Sequence, residues 1–340
     1  MPAHTPQHSP APPDWKVATR AIIRRIRTVD AELRDQHTWL QPRHQDRMGL
    51  LFYGLSWAWM ATIGVSWSIG LCPWWLAVPG IALGLSILHE LEHDLIHDLY
   101  FAQRPRLQDA LFTGIWLAKM SLNPWSRRRL HRYHHKVSGQ PEDIEERLIG
   151  LGLPWGFRRL LLSVLPAGSL VVVPAIRRSV IQAVRDGAPR PNLQHTRGFG
   201  LIRAVDGVFL LAPFVVLPLA LRGDPVAAAL LVLWVLPNTI RHFSIVVVSS
   251  NSHYTGIPRG TLFPQNQVLD HPALLPLQLF CFNFGATHIL HHFVVKQPFY
   301  LRQLVSARVR DTLRENGVPF NDLGTFVRAN RRPPSEPVST

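Results

Sequence analysis

The chain has 340 residues, 47% of them apolar and only 17% charged, with a formal net charge of +14. Two cysteines exclude a disulfide scaffold, a cysteine-based zinc ribbon and an iron–sulfur site, all of which need more thiols, while 11 Trp and 16 Phe exclude an intrinsically disordered chain. The mean hydropathy of +0.06 averages unlike parts, and the 17 histidines are unevenly spread.

Residues 1–15 are rich in proline and polar side chains and lack the apolar core of a secretory signal, so they read as a disordered tail on a protein not exported by cleavage. Residues 16–47 carry Lys16, Arg20, Arg24, Arg25, Arg27, Arg34, Arg43 and Arg47 among apolar residues at helical spacing, the pattern of a basic helix lying at a membrane interface. Met48 to Gly70 runs 23 residues without a charge, enough to cross a hydrocarbon layer of roughly 30 Å. After a turn at Leu71 and Cys72, a second span starts at Pro73, with Trp74 and Trp75 suited to the interface, and runs directly into acidic and histidine residues. Leu160 to Ile176 is apolar but short, flanked by arginines and interrupted by Pro166 and Pro174, which fits a helix lying on the membrane. Leu201 to Leu221 and Val226 to about Val248 form a second hairpin around Arg222-Gly223-Asp224-Pro225; the count of spans beyond four is left open.

The loops inside the two hairpins hold almost no Lys or Arg, whereas the N-terminus, residues 89–200 and the C-terminus hold nearly all of them. The positive-inside rule places those basic regions in the cytoplasm. The positive charge then reports orientation, and no stacking platform or zinc-finger pattern accompanies it to suggest nucleic acid.

Three histidine clusters fall on that same side: His89, His93 and His97; His131, His134 and His135; His288, His291 and His292. Spacings of three and four gather imidazoles on one helical face. Protonated rings packed together repel, so such clusters are comfortable when the rings are neutral and bound to a cation. Eight to ten imidazoles exceed what one ion takes, so the count implies two metals. His253, just beyond the fourth span, is a tenth candidate, and Asn251 beside it could meet a metal-bound water. His4, His8, His37, His44, His195 and His271 read as incidental, and His242, next to Arg241 inside the span, as structural. Glu90, Glu92, Asp94 and Asp98 are candidates to orient imidazole N–H groups, against the plainer reading of helix-surface charge.

H-x-x-x-H, H-x-x-H-H and H-x-x-H-H, in that order, with the first box after the second span and the third after the fourth, resemble the membrane fatty acid desaturase superfamily, which includes alkane hydroxylases. The resemblance covers residues 48 to about 300. It implies an all-α integral membrane protein, about four transmembrane helices in two hairpins with a cytoplasmic helical cap carrying the boxes; residues 301–340, outside the resemblance, read as a cytoplasmic C-terminal helix and disordered tail. It implies two non-haem iron ions held almost wholly by histidine, with O2 as co-substrate, removing hydrogen from an unactivated C–H bond of an alkyl chain. The first box reads either as His93-x-x-x-His97, like the desaturase box, or as His89-x-x-x-His93, like the hydroxylase box.

Such chemistry requires a substrate held rigidly with water excluded, which a slot among the spans, entered from the bilayer, would provide. The chain offers no domain for its own reductant, so an external ferredoxin, rubredoxin or cytochrome is implied. Arg127, Arg128, Arg129, Arg132 and Lys136 could steer an acidic carrier or merely anchor the membrane edge. Desaturation of a fatty acyl chain ranks first, hydroxylation second, and oxidative decarboxylation is a third outcome. Two rivals come from other classes. His89-Glu90-Leu-Glu-His93 satisfies the H-E-x-x-H zinc protease signature, but leaves two boxes unexplained. A metal transporter would place its histidines along the spans rather than beyond them.

Overall fold

The computed structural model describes residues 14–165, 168–188, 199–256 and 265–333; most of the tail expected at 1–15, together with His4, His8 and His195, lies outside them. The described residues are helical apart from three isolated β-bridges. Four helices are long and apolar enough to cross a membrane, over Pro42–Ser68, Trp74–Ile96, Gly200–Leu221 and Pro225–Ser252. The protein is thus an integral membrane protein.

Helix α1 (Trp15–Gln36) opens with Asp14 as N-cap, its carboxylate accepting from the amides of Lys16 and Val17. Its apolar stripe, Ala18, Ile22, Ile26, Val29 and Leu33, is buried at helical spacing. The stripe packs against a late helix, α14 (Phe299–Glu315), and joins the main core. What α1 turns outward is therefore its row of arginines.

Helices α2 (Gln45–Ser68) and α3 (Trp74–Ile96) form the first hairpin. They approach closely because glycines face the partner: a Cβ on Gly84 would lie 2.6 Å from Met60 Cγ, and one on Gly80 2.6 Å from Ile63 Cδ1. Helix α4 (Pro105–Lys119) and helix α5 (Pro124–Val137) follow on the histidine-bearing side. Pro124 at the first turn of α5, with the Asn123 side chain accepting from the Ser126 amide at 2.8 Å, fixes where α5 begins and so which residues share its face. A short α6 (Ile144–Leu148) comes next.

The expected single membrane-lying helix at 160–176 is instead two helices, α7 (Phe157–Val164) and α8 (Ser169–Arg185); Pro166 lies outside the described residues. Helix α9 (Phe199–Leu221) pairs with the fourth span, which comprises α10 (Pro225–Leu230), a π-turn at Leu231–Val235 and α11 (Leu236–Ser252). Beyond it, α12 (Leu275–Phe280) and α13 (Phe284–Phe293) meet at a 74° bend through the left-handed residues Phe282 and Asn283.

The spans are of two kinds. Those of α2 and α9 leave most of their length exposed, with Leu51, Leu55, Val208, Leu211 and Phe214 outward, as lipid-facing helices do. Those of α3 and α11 bury more than half of theirs, and both run into the histidines at the same end of the molecule.

No packing boundary falls at residue 300. Val305, Val309 and Leu313 of α14 share one core with Leu88, Leu91 and Leu95 of α3. Ile26, fully buried against this core, tests how firmly α1 is bound into it. Ile26→Ala is expected to lose about 2–5 kcal/mol, lowering Tm in detergent, whereas Arg24→Ala on the outward face stays within about 0.5 kcal/mol.

Candidate metal centre

Eight histidines converge in two buried groups. His93, His97, His131 and His291 form one, and His134, His253, His288 and His292 the other; within each group one ring nitrogen per residue lies within 4.8 Å of all the others. His93 comes from α3 and His97 caps it, His131 and His134 come from α5, His253 caps α11, and His288, His291 and His292 come from α13. Four separate stretches of chain thus deliver rings to one place. Nitrogens nearly touch: His253 Nε2 is 2.8 Å from His288 Nε2, and His292 Nε2 is 3.0 Å from His288 Nε2.

His135 belongs with the first group, its Nε2 being 3.2 Å from His131 Nε2 and 3.0 Å from His291 Nε2. Its ring also lies 4.8 Å from that of His292, so it bridges towards the second group.

The other expected participants go elsewhere. His89 joins neither group; its Nε2 meets Arg127 Nη2 at 3.3 Å. Asn251 accepts from Arg159 and Asn330 and donates to the Val247 carbonyl, so it anchors the end of α11 and does not face the imidazoles. The carboxylates of the first box also turn away from the rings. Asp94 is 3.9 Å from His93 Nδ1, too far for a hydrogen bond, and instead accepts from Arg302, Tyr100 Oη and the Phe299 amide. Glu90 pairs with Arg302 at 3.2 Å, Glu92 with Lys119 and Arg127, and Asp98 with Arg128 and Arg132. The surface proposed to steer a redox carrier is correspondingly reduced: Arg127, Arg128 and Arg132 are committed to these partners, while Lys136 is exposed.

The residues that do hold the rings come from places the boxes did not indicate. Asp143 Oδ2 is 2.9 Å from His134 Nδ1, and Glu145 Oε2 is 2.7 Å from His131 Nδ1. Asp143 is also the N-cap of α6, its other oxygen accepting from the Glu146 amide at 3.3 Å. Gly139, at φ +73°, allows this turn, because a Cβ there would strike the Tyr254 carbonyl. Glu146 accepts from Ser249 and stands 3.8 Å from His253 Nε2. The run Glu142-Asp143-Ile144-Glu145-Glu146 directly after the second box was the available sign. Arg302, 1% exposed, meets His291 Nδ1 at 3.2 Å while held by Glu90 and Asp94; its sequence position resembles any arginine on a surface helix.

Burial holds His97 down to about 2 and His131 well below the usual imidazole range, so both stay neutral, as a metal ligand must. Glu145 does not reverse this for His131, since Arg127 Nε lies 3.5 Å from the same carboxylate. His134 differs: burial opposes its charge, but Asp143 and the neighbouring glutamates outweigh it and raise it to about 9. A cation bound at Nε2 would replace that proton while Asp143 kept Nδ1–H aligned.

The donor set fits a metal. Nε2 of His97 and the nitrogens of His93 are buried without a hydrogen-bond partner, and a cation taking one nitrogen from each ring would satisfy what no protein group does there. All-imidazole sets suit iron, copper or zinc, and two groups suit two ions.

An integral membrane protein whose spans end in a buried, double poly-histidine site defines a class of metal-dependent membrane oxidoreductases. Within that class, the family model for fatty acid desaturase matches residues 73–324, well over half of the chain, and the chain belongs to that family. The match extends past residue 300 to include Arg302. No curated protein matches the chain.

Asp143→Asn keeps the shape of the side chain and removes its charge. It is expected to weaken divalent-metal binding about 10- to 100-fold, read by metal titration of purified protein in detergent.

Proposed function

We propose that the protein uses two iron ions, O2 and externally supplied electrons to desaturate a fatty acyl chain. The single observation that carries this reading is the pair of buried histidine groups at the ends of α3 and α11 in a chain of the fatty acid desaturase family. In this assignment His93, His97, His131, His135 and His291 hold one ion, and His134, His253, His288 and His292 the other. Iron held in this way supplies O2 activation and removal of hydrogen from an unactivated C–H bond.

The chain's own residues do the rest. The histidines, all but His135 less than 8% exposed, sit in a water-poor setting that protects a reactive centre from side reactions. Asp143 and Glu145 fix the ring orientation of His134 and His131 and keep the proton on Nδ1. Arg302, clamped by Glu90 and Asp94, fixes His291. Because α3 and α11 lead from the apolar slab to these rings, an alkyl chain can arrive from the bilayer without crossing water.

The electrons come from an external ferredoxin, rubredoxin or cytochrome. The basic termini and the centre lie on the cytoplasmic face, by the distribution of Lys and Arg, where such a carrier is available. The zinc protease reading loses its geometry: in His89-Glu90-x-x-His93, His89 turns to Arg127 and Glu90 to Arg302, so the motif is not assembled around one ion.

Membranes containing the protein, given O2 and a reductase system, are expected to convert a saturated acyl chain, with mass spectrometry of the lipids reporting the product. His134→Ala and His291→Ala are each expected to abolish conversion while folded protein remains. Purified protein is expected to hold about two irons per chain; one zinc in their place, or product formation by both variants, would refute the assignment. A hydroxylated or chain-shortened alkene product would keep the metal centre and replace desaturation as the outcome.

A further inference from the structure

One buried cluster lies outside both metal groups and touches the residues that orient them only through Arg127 and Glu145. Lys119 at the end of α4, Arg127 on α5 and Arg241 on α11 surround His89 on α3, and all three cations are largely or wholly buried. Glu92 neutralises Lys119 and contacts Arg127, and Glu145 also contacts Arg127. Arg241, 3% exposed, makes no ion pair among the described residues: its Nε donates to Asn238 Oδ1 at 3.4 Å and its Nη2 to the Lys119 carbonyl at 3.3 Å.

A guanidinium buried in a membrane span without a counter-charge is strongly disfavoured. Beside it lie two buried donors with no hydrogen-bond partner, His89 Nδ1 and Arg127 Nη1, the latter 3.2 Å from Glu92 Oε2 but off the hydrogen-bonding direction. A buried guanidinium without a counter-charge and orphaned donors in one dry place are what an anion would satisfy.

The position selects the kind of anion. Arg241 lies within the fourth span, 11 residues before its end at Ser252, and is only 3% exposed, so a small hydrated ion would have to shed its water to reach it. A fatty acid brings its own apolar tail. His89 is also one helical turn, about 5.4 Å, from His93, which puts this cluster beside the first histidine group.

We propose that Arg241, with His89, Lys119 and Arg127, binds the carboxylate of a free fatty acid and so selects an unesterified acid as substrate. This rests on the reading of the protein as an alkyl-chain oxidase, but is tested by binding rather than turnover, so that iron content and product report separately on that reading. Iron-loaded protein in non-ionic detergent is titrated calorimetrically with dodecanoate and with methyl dodecanoate. Wild type is expected to bind the acid about 10- to 100-fold more tightly than the ester, the range for a charge-assisted contact. Arg241→Gln is expected to erase that preference, and Arg241→Lys to retain most of it. Equal affinity of the wild type for acid and ester overturns the proposal even where Arg241→Gln fails to fold, as does an acid preference unchanged in Arg241→Gln. In a chloride titration, loss of chloride binding in Arg241→Gln with the acid preference intact would assign the cluster to an inorganic anion and overturn the substrate assignment.

Discussion

Imidazole rings that share a dry space repel one another once protonated, and left neutral each carries one N–H and one lone pair, so where several lone pairs converge nothing in the protein balances them. Only a cation among them relieves both problems. His93, with neither ring nitrogen partnered, and the short Nε2 contacts of His288 with His253 and His292 show this constraint in its sharpest form. Much else in the molecule serves to keep four stretches of chain converging on that point: the close α2–α3 packing, the bend before α13, and the closure of α1 and α14 around the first box.

The support around the rings is ionic and comes mostly from outside the boxes. Arg302 ties α14 to two carboxylates of α3 and to His291, and Asn330, near the end of the described chain, bonds the Ser250 carbonyl at the end of α11. The Arg159 guanidinium reaches Ser250 and Asn251 from the other side. Each of these buried polar groups needs its partners, so the ends of the spans are located by complementary charge as well as by apolar packing.

The uncharged stretch from Met48 to Leu88 admits few structures other than membrane helices, which is why the first hairpin was legible in the sequence; the second, interrupted by Arg203, Asp206 and Arg241, was read from its apolar majority. The histidine clusters were legible because spacings of three and four have a direct spatial meaning on a helix. His253 could be placed from the span that precedes it. The partners of the boxes were not legible in the same way. Carboxylates one and three residues from a histidine look like natural orienters, yet Glu90, Glu92 and Asp94 point to Arg302, Lys119 and Arg127, cations supplied by other helices. His89 fits the repeat of the first box as well as His97 does, and only the approach of α5, bringing Arg127, separates them. Position on one helix face was encoded locally; the identity of the facing element was not.

Asp143 has a consequence for how the protein ages. One carboxylate caps α6 and also holds His134, so the order of the 138–148 segment and the aim of a ring in the histidine site depend on a single side chain. Losing that carboxylate would loosen the turn and misaim the ring together, and the turn would become the stretch where a protease or a chaperone first gains access. Quality control of such damage would need only access to this turn.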